Sequence, residues 1–189
     1  MRLLKKKNKW GFTLGELLIV VGIIGVLSSI AIPILVRSLE SAREAYDIYT
    51  MRQAASAAID LYYAGITDAS SAEKAGLKWW DNKNKETNNA AGVYDPGSGT
   101  FLPLSSKDTE GKSYGKGTKI DGGKKFTMGN ERGSYANKED YTKAVVMIAI
   151  YPQATNPHVD IYWKSYDGKY IGGQNIANDP KYSIRIALA

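Results

Sequence analysis

The sequence predicts an α+β fold, in which one long N-terminal helix packs on a C-terminal antiparallel β-sheet headgroup. Three observations predict it. From Phe12 to Val36 the chain is apolar for 25 residues, with Glu16 as the only charge. From Arg37 the pattern turns amphipathic: Ala45, Ile48, Met51, Ala55, Ile59 and Tyr62 recur at three- or four-residue steps, the spacing of one helical face. From residue 143 onward, β-branched runs and period-two alternation take over, as in strands.

The first eleven residues form a basic leader. Arg2, Lys5, Lys6, Lys7 and Lys9 stand there without an acid, so the formal charge of +6 falls to +1 once they are set aside. Positive residues beside an apolar segment hold that end on the cytoplasmic side, so the basic character describes the leader and gives no broad nucleic-acid surface. The absence of cysteine excludes a disulfide framework, a thiolate metal site and a cysteine nucleophile.

The 12–36 run is long enough to span a bilayer, which takes about 20 residues. A carboxylate inside it is expensive, and such a residue calls for a named partner. An ordinary secretory signal with a small-residue cut at Ser29-Ile30-Ala31 would be apolar where Glu16 stands, and here the helical pattern runs on past that cut. A plain membrane anchor has no use for the carboxylate either.

The order Gly11-Phe12-Thr13-Leu14-x-Glu16-Leu17-Leu18 behind a basic leader is similar to the prepilin signature of the type IV pilin family, which includes pilins, pseudopilins and competence pilins. The likeness covers roughly the first 40 residues. It implies that a membrane-embedded prepilin peptidase cuts between Gly11 and Phe12, removes residues 1–11 and N-methylates Phe12. Glu16, fifth after the cut, would then pair with the Phe12 amine of a neighbouring subunit during filament assembly. Gly15 departs from the family, which usually has an aliphatic residue there; a glycine weakens the helix start by under ~1 kcal/mol.

The rest of the stem and helix follow from pattern. Gly22, Gly25 and Pro33 are predicted to interrupt the apolar helix, with a kink near residues 29–33, because proline removes a hydrogen bond and clashes with the preceding turn. The resemblance adds an unwound stretch between Gly25 and Pro33 in the assembled filament. Residues 37–64 read as the amphipathic, headgroup half of the helix, with Arg43, Glu44, Asp47, Arg52 and Asp60 beside the apolar face and alanines at 54, 55, 57 and 58 suited to close packing. One nearly continuous helix from about Phe12 to Ala64, stopped by Gly65, would be about 80 Å long, far more than a membrane needs.

Residues 65–142 read as a loop-rich, variable region. It begins with a short helix near Ser70–Ala75, capped by Ser70 or Ser71. Asn88 to Gly133 holds ten of the nineteen glycines and the turn signals Asp95-Pro96-Gly97 and Asp121-Gly122-Gly123. Residues 143–189 carry the strands. Lys143–Tyr151 is a β-branched run. His158–Lys164 alternates, with Val159, Ile161 and Trp163 on one side and His158, Asp160 and Tyr162 on the other. Tyr166-Asp167-Gly168-Lys169 reads as a hairpin turn, and Tyr182, Ile184, Ile186 and Leu188 alternate again. Three or four antiparallel strands result. Without cysteine, the C-terminal edge must be held by pairing and hydrogen bonds, as in the cysteine-free pilins more typical of Gram-positive species.

No nucleophile elbow, phosphate loop or metal-spaced histidine set is present, so an enzyme and a cofactor are not expected. His158 is the only histidine and reads as solvated. Asp121 has too few carboxylates around it for the six to eight oxygens of a calcium site. All thirteen tyrosines follow residue 45 and Trp79-Trp80 adds an aromatic pair; these suit core and subunit interface first, with stacking on sugars or bases as the other use. Lys112, Lys116, Lys119, Lys124 and Lys125 form a local basic loop, and a DNA partner is not expected.

The resemblance implies a structural subunit of a helical homo-oligomeric filament serving adhesion, motility or aggregation. Its precursor would lie in the cytoplasmic membrane with a cytoplasmic N-terminus and would engage prepilin peptidase and a pilus assembly machine. A type II secretion pseudopilin, a competence pilin or a membrane-anchored adhesin that never polymerises are the alternatives, and a surface or polysaccharide ligand stays open.

Overall fold

The computed structural model describes residues 11–103, 105, 109, 111–119, 125–128, 131–134, 139–174 and 182–188, with backbone alone for 125–128 and 131–134. The chain divides at Ser38/Leu39 into two compact units. One helix, α1 (Leu14–Tyr63), runs from the first into the second. Helical geometry continues through Gly22, Gly25 and Pro33, so the interruption expected there is not a break in the single chain. Pro33 lacks only its own N–H bond, and the helix closes again on either side. At the end, Gly65 takes φ +99°, the left-handed conformation that suits glycine at a helix C-terminus.

In the N-terminal unit, none of the described apolar side chains finds cover. From Phe12 to Val36 every large hydrophobic residue is exposed, from 37% at Val36 to 88% at Phe12. That segment is long and apolar enough to cross a membrane, which serves a membrane anchor or a signal sequence.

In the second unit, the helix from Leu39 packs on a six-stranded antiparallel sheet. Its strands are β1 (Lys78–Trp80), β2 (Asn89–Asp95), β3 (Thr100–Leu102), β6 (Ala144–Tyr151), β7 (His158–Ser165) and β8 (Ser183–Ala187). The order is β1-β2-β6-β7-β8, with β1 and β3 end to end along one edge of β2. A separate hairpin joins β4 (Lys125–Met128) to β5 (Glu131–Ser134). A small helix, α2 (Ala69–Lys74), precedes β1. The whole is a pilin-like architecture: a long apolar N-terminal helix followed by an antiparallel sheet.

The helix-facing side of the sheet carries Ala90, Val146, Ile148, Ile150, Val159, Ile161, Trp163 and Ile184, which bury against Ile48, Met51, Ala54, Ala55 and Ala58. The alternation predicted for β7 places Val159, Ile161 and Trp163 in this core and Tyr162 on the other face. Of the predicted apolar helix face, Ile48, Met51 and Ala55 are buried and Ile59 and Tyr62 half-buried, but Ala45 is exposed. The buried face is rotated towards Glu40, Glu44 and Asp47, all of them at 2% exposure or less.

Three further expectations need correction. The cap of α2 is Asp68, not Ser70 or Ser71. Asp68 accepts from the Ser71 backbone N–H, while Ser71 returns a hydroxyl to the Asp68 N–H, a reciprocal capping box. The Ser71 N–H holds the Asp68 carboxyl below the usual aspartate range, so the cap persists above that range and is lost as pH falls through the lowered value. The loop-like region 88–133 contains β2, β3 and the β4–β5 hairpin, and with β1 the sheet has six strands rather than three or four. β2 reads Asn-Ala-Ala-Gly-Val-Tyr-Asp, poor in strand formers, and packing decides it: a Cβ on Gly92 would lie 2.7 Å from Leu77 Cδ2 and 2.9 Å from Leu102 O. The hairpin turn expected at Tyr166–Lys169 forms, with Ser165 N–H donating to Lys169 O at 2.9 Å. Beyond it Tyr170 bridges Lys164, and Ile171 N–H donates to Trp163 O at 3.1 Å.

The β2–β6 ladder stops at Val93–Met147, and the next pair would be Tyr94–Val146. Tyr114 occupies that rung. Its hydroxyl donates to Tyr94 O at 2.7 Å and accepts from Val146 N–H at 2.8 Å. Burial pushes this hydroxyl's pKa far up. Tyr114→Phe leaves a buried carbonyl and a buried N–H unpaired, so a loss of about 2–4 kcal/mol in chemical unfolding is expected. A loss below about 1 kcal/mol would show that the strands re-pair without it.

The C-terminal edge is held without a disulfide. β8 pairs with β7, Arg185 grips Asp160 through Nε and Nη2 at 2.8 and 2.7 Å, and Leu188 N–H donates to Pro157 O at 2.8 Å.

Candidate functional site

A lone carboxylate and a cluster of three stand out on α1, Glu16 at its start and Glu40, Glu44 and Asp47 where its amphipathic half begins. At the N-terminus, Gly11, Phe12 and Thr13 are exposed and non-helical, and the helix begins at Leu14. Thr13 O accepts the first intrahelical bond, from Leu17 N–H at 3.2 Å, which makes Thr13 the N-cap and Glu16 the third helical residue. Thr13 N–H and Oγ–H both donate to Glu16 Oε2 at 2.9 and 2.8 Å, and Glu16 N–H donates back to Thr13 Oγ at 3.2 Å. This is a capping box, and Thr-x-x-Glu was its available signal in the chain. Among the described residues, no hydrogen bond reaches Glu16 Oε1. The carboxylate is therefore fixed in direction and half engaged.

The Gly11–Phe12 peptide lies just ahead of this box in exposed, irregular backbone, a form a peptidase can bind in extended conformation. Gly22 and Gly25 lie within the exposed helix, with nothing within 4 Å of a Cβ added at either. The close approach of a neighbouring helix would be compatible with such sites.

The second group lies in the headgroup. Glu40, Glu44 and Asp47 follow the i, i+4, i+7 spacing of one helix face. Asp47 accepts from Lys116 N–H (2.9 and 3.1 Å to its two oxygens) and from Gly117 N–H (2.8 Å). Glu40 accepts from Thr118 N–H and, at 2.8 Å, from Thr118 Oγ, with Arg43 at 3.4 Å. The three residues 116–118 thus run across the helix with their amides satisfied by buried acids. Gly115 makes the approach possible, since a Cβ there would sit 2.1 Å from Tyr141 O. The sequence places Glu44 and Asp47 beside the apolar face but gives no sign of what Asp47 holds, because its partner amides lie about seventy residues away.

The remaining candidates are scattered. His158 stacks on Tyr151 (4.6 Å between centroids, 18° between planes), has Nδ1 2.8 Å from Asn156 O and lies 4.0 Å from Asp160. Lys112, Lys116 and Lys119 are exposed, and Lys116 Nζ stands 5.9 Å from the Tyr46 ring centroid. Asp121 and Lys124 lie outside the described residues, as does the Lys125 side chain. No protein-family model, curated protein or solved structure matches the chain.

Proposed function

We propose that this chain is the structural subunit of a type IV pilus filament, made as a membrane-anchored precursor and polymerised through the N-terminal part of α1. The observation that carries the reading is the conjunction at the start of that helix: a 25-residue apolar run with every large side chain uncovered, headed by a carboxylate. Burying one such side chain is worth about 1.5–3 kcal/mol, so this surface demands a cover. Lipid supplies it before assembly, and the same segments of neighbouring copies supply it afterwards.

The carboxylate makes the exchange selective. Removal of residues 1–11 creates an ammonium on Phe12, and N-methylation leaves it protonatable. Glu16 Oε2 is occupied by Thr13, while Oε1 has room for an incoming N–H donor from the next subunit. An unpaired carboxylate in hydrocarbon costs about 3 kcal/mol or more, so pairing favours the docked state and sets the axial register. The chain's own residues give no reason to invoke an enzyme activity or a cofactor. Pilus, secretion pseudopilus and competence filament share this chemistry; a formal charge of only +1 beyond residue 11 weighs against a DNA-uptake role.

Mass spectrometry of the N-terminus in sheared extracellular material tests the reading. A chain starting at N-methylated Phe12 is expected. A chain starting at Ile32, or an uncut one confined to membranes, would replace it with a secreted or anchored headgroup.

A further inference from the structure

The sheet face turned away from α1 is shaped by its register. Ala91 and Ala149 are cross-strand partners on β2 and β6, and Lys78 on β1 pairs with Ala91 in the same row. Rows of large side chains flank this low one. Trp80 and Tyr151 stand on one side, Met147 and Tyr162 on the other. The alanines therefore floor a groove of about 700 Å³ that crosses four strands, from Trp80 and Lys78 to Tyr162 and Lys164. Four strands set about 4.8 Å apart give it a length of roughly 14 Å.

Its chemistry is aromatic and cationic. Trp80 is 46% exposed on the edge strand. Lys78 Nζ lies 4.5 Å from the Trp80 ring centroid and Lys164 Nζ 4.6 Å from that of Tyr170, so an ammonium stands beside an aromatic ring at each end. Among the described residues, no carboxylate lines the groove. Asp160, beside it on the same face, is engaged by two bonds from Arg185. Asn82 and Asn89 both donate their side-chain amides to Thr87 O, at 2.8 and 3.1 Å, which orients them at the rim as acceptors for hydroxyl groups.

We propose that this groove binds an acidic, uronate-bearing polysaccharide. The apolar faces of sugar rings stack on Trp80 and Tyr162, their carboxylates meet Lys78 and Lys164, and their hydroxyls meet the rim amides. Charge complementarity selects an anion, and the small number of cations selects against a nucleic acid, whose affinity depends on many phosphate contacts at once. The inference stands whether or not the chain polymerises.

The test uses the full chain in detergent micelles, titrated with an oligogalacturonate, a neutral malto-oligosaccharide of equal length and an oligo-dT. The oligogalacturonate is expected to bind most tightly, to weaken as salt is raised and to shift the Trp80 indole resonance of the unaltered protein. Trp80→Ala should reduce its affinity about tenfold or more. The double variant Lys78→Gln/Lys164→Gln should remove the preference for the acidic sugar over the neutral one. The indole shift needs no variant and guards against misfolding. Absence of oligogalacturonate binding, binding that leaves the Trp80 indole and both variants unaffected, or tighter binding of oligo-dT would each overturn the proposal.

Discussion

Glu16→Ala is expected to leave cleavage before Phe12 intact and to abolish extracellular filaments, with the processed subunit accumulating in the membrane. Two separable effects contribute. The variant loses the capping box, worth about 1 kcal/mol. It also leaves each incoming Phe12 ammonium without its counter-charge, and breaking one side of a buried pair costs about 3–5 kcal/mol. At about 1.4 kcal/mol per tenfold, the second effect alone lowers incorporation by more than a hundredfold per step.

Two companions separate cap from charge. Glu16→Gln keeps an oxygen to accept from Thr13 N–H and Oγ–H but has no charge, and should fail almost as completely. Thr13→Ala removes the hydroxyl half of the box and keeps the charge, and should assemble at reduced yield. The measurement is the amount and length of sheared filaments, with the N-terminus read by mass spectrometry in each case. Filaments of normal length from Glu16→Ala alone would rule out the pairing.

Asp47→Ala is expected to be the most destabilising single truncation in the headgroup. The side chain is fully buried, and it accepts from the backbone N–H groups of Lys116 and Gly117. Hydrogen bonds to a charged acceptor are worth about 1.5–3 kcal/mol each, and donors left buried carry their own desolvation cost. A loss of about 3–5 kcal/mol follows, a large part of a domain's usual stability of 5–15 kcal/mol. Tryptophan fluorescence during urea unfolding of the full chain in detergent would measure it. Hydrogen exchange should place the loosening at the Lys116 and Gly117 amides. Asp47→Asn keeps one accepting oxygen and should lose less than Asp47→Ala. A loss under about 1 kcal/mol for Asp47→Ala would mean that residues 116–118 find water or another acceptor, and that the acids do not hold them.

Residues whose roles depend on near neighbours were legible in the chain. The spacing of Ile48, Met51 and Ala55 is that of a helix face, and the alternation of Val159, Ile161 and Trp163 is that of a half-buried strand. The Thr13–Glu16 box was legible too, because its partners are three residues apart. Those whose roles depend on distant partners were not. Tyr114 looks like any loop tyrosine until β2 and β6 part at the rung it fills. Gly115 looks like a flexible linker until the Tyr141 carbonyl presses on it. Small residues in β2 carry no strand signal of their own, and only the walls formed by Leu77, Phe101 and Leu102 make them a central strand.

The sequence by itself determined the long N-terminal helix, its apolar and amphipathic halves, the lone carboxylate near its start and the alternating C-terminal strands. Period and charge are properties of consecutive residues, and the backbone turns them directly into faces. Tertiary structure alone decided that the buried face of the helix includes Glu40, Glu44 and Asp47, that the middle of the chain completes the sheet, and that two alanines leave a groove across it. In each case the deciding term is the pairing of a polar group, or the fit of a side chain, with atoms remote in sequence. Desolvation makes a buried carboxylate prohibitive alone and stable against paired backbone amides, and only the fold brings those amides to Asp47 and Glu40.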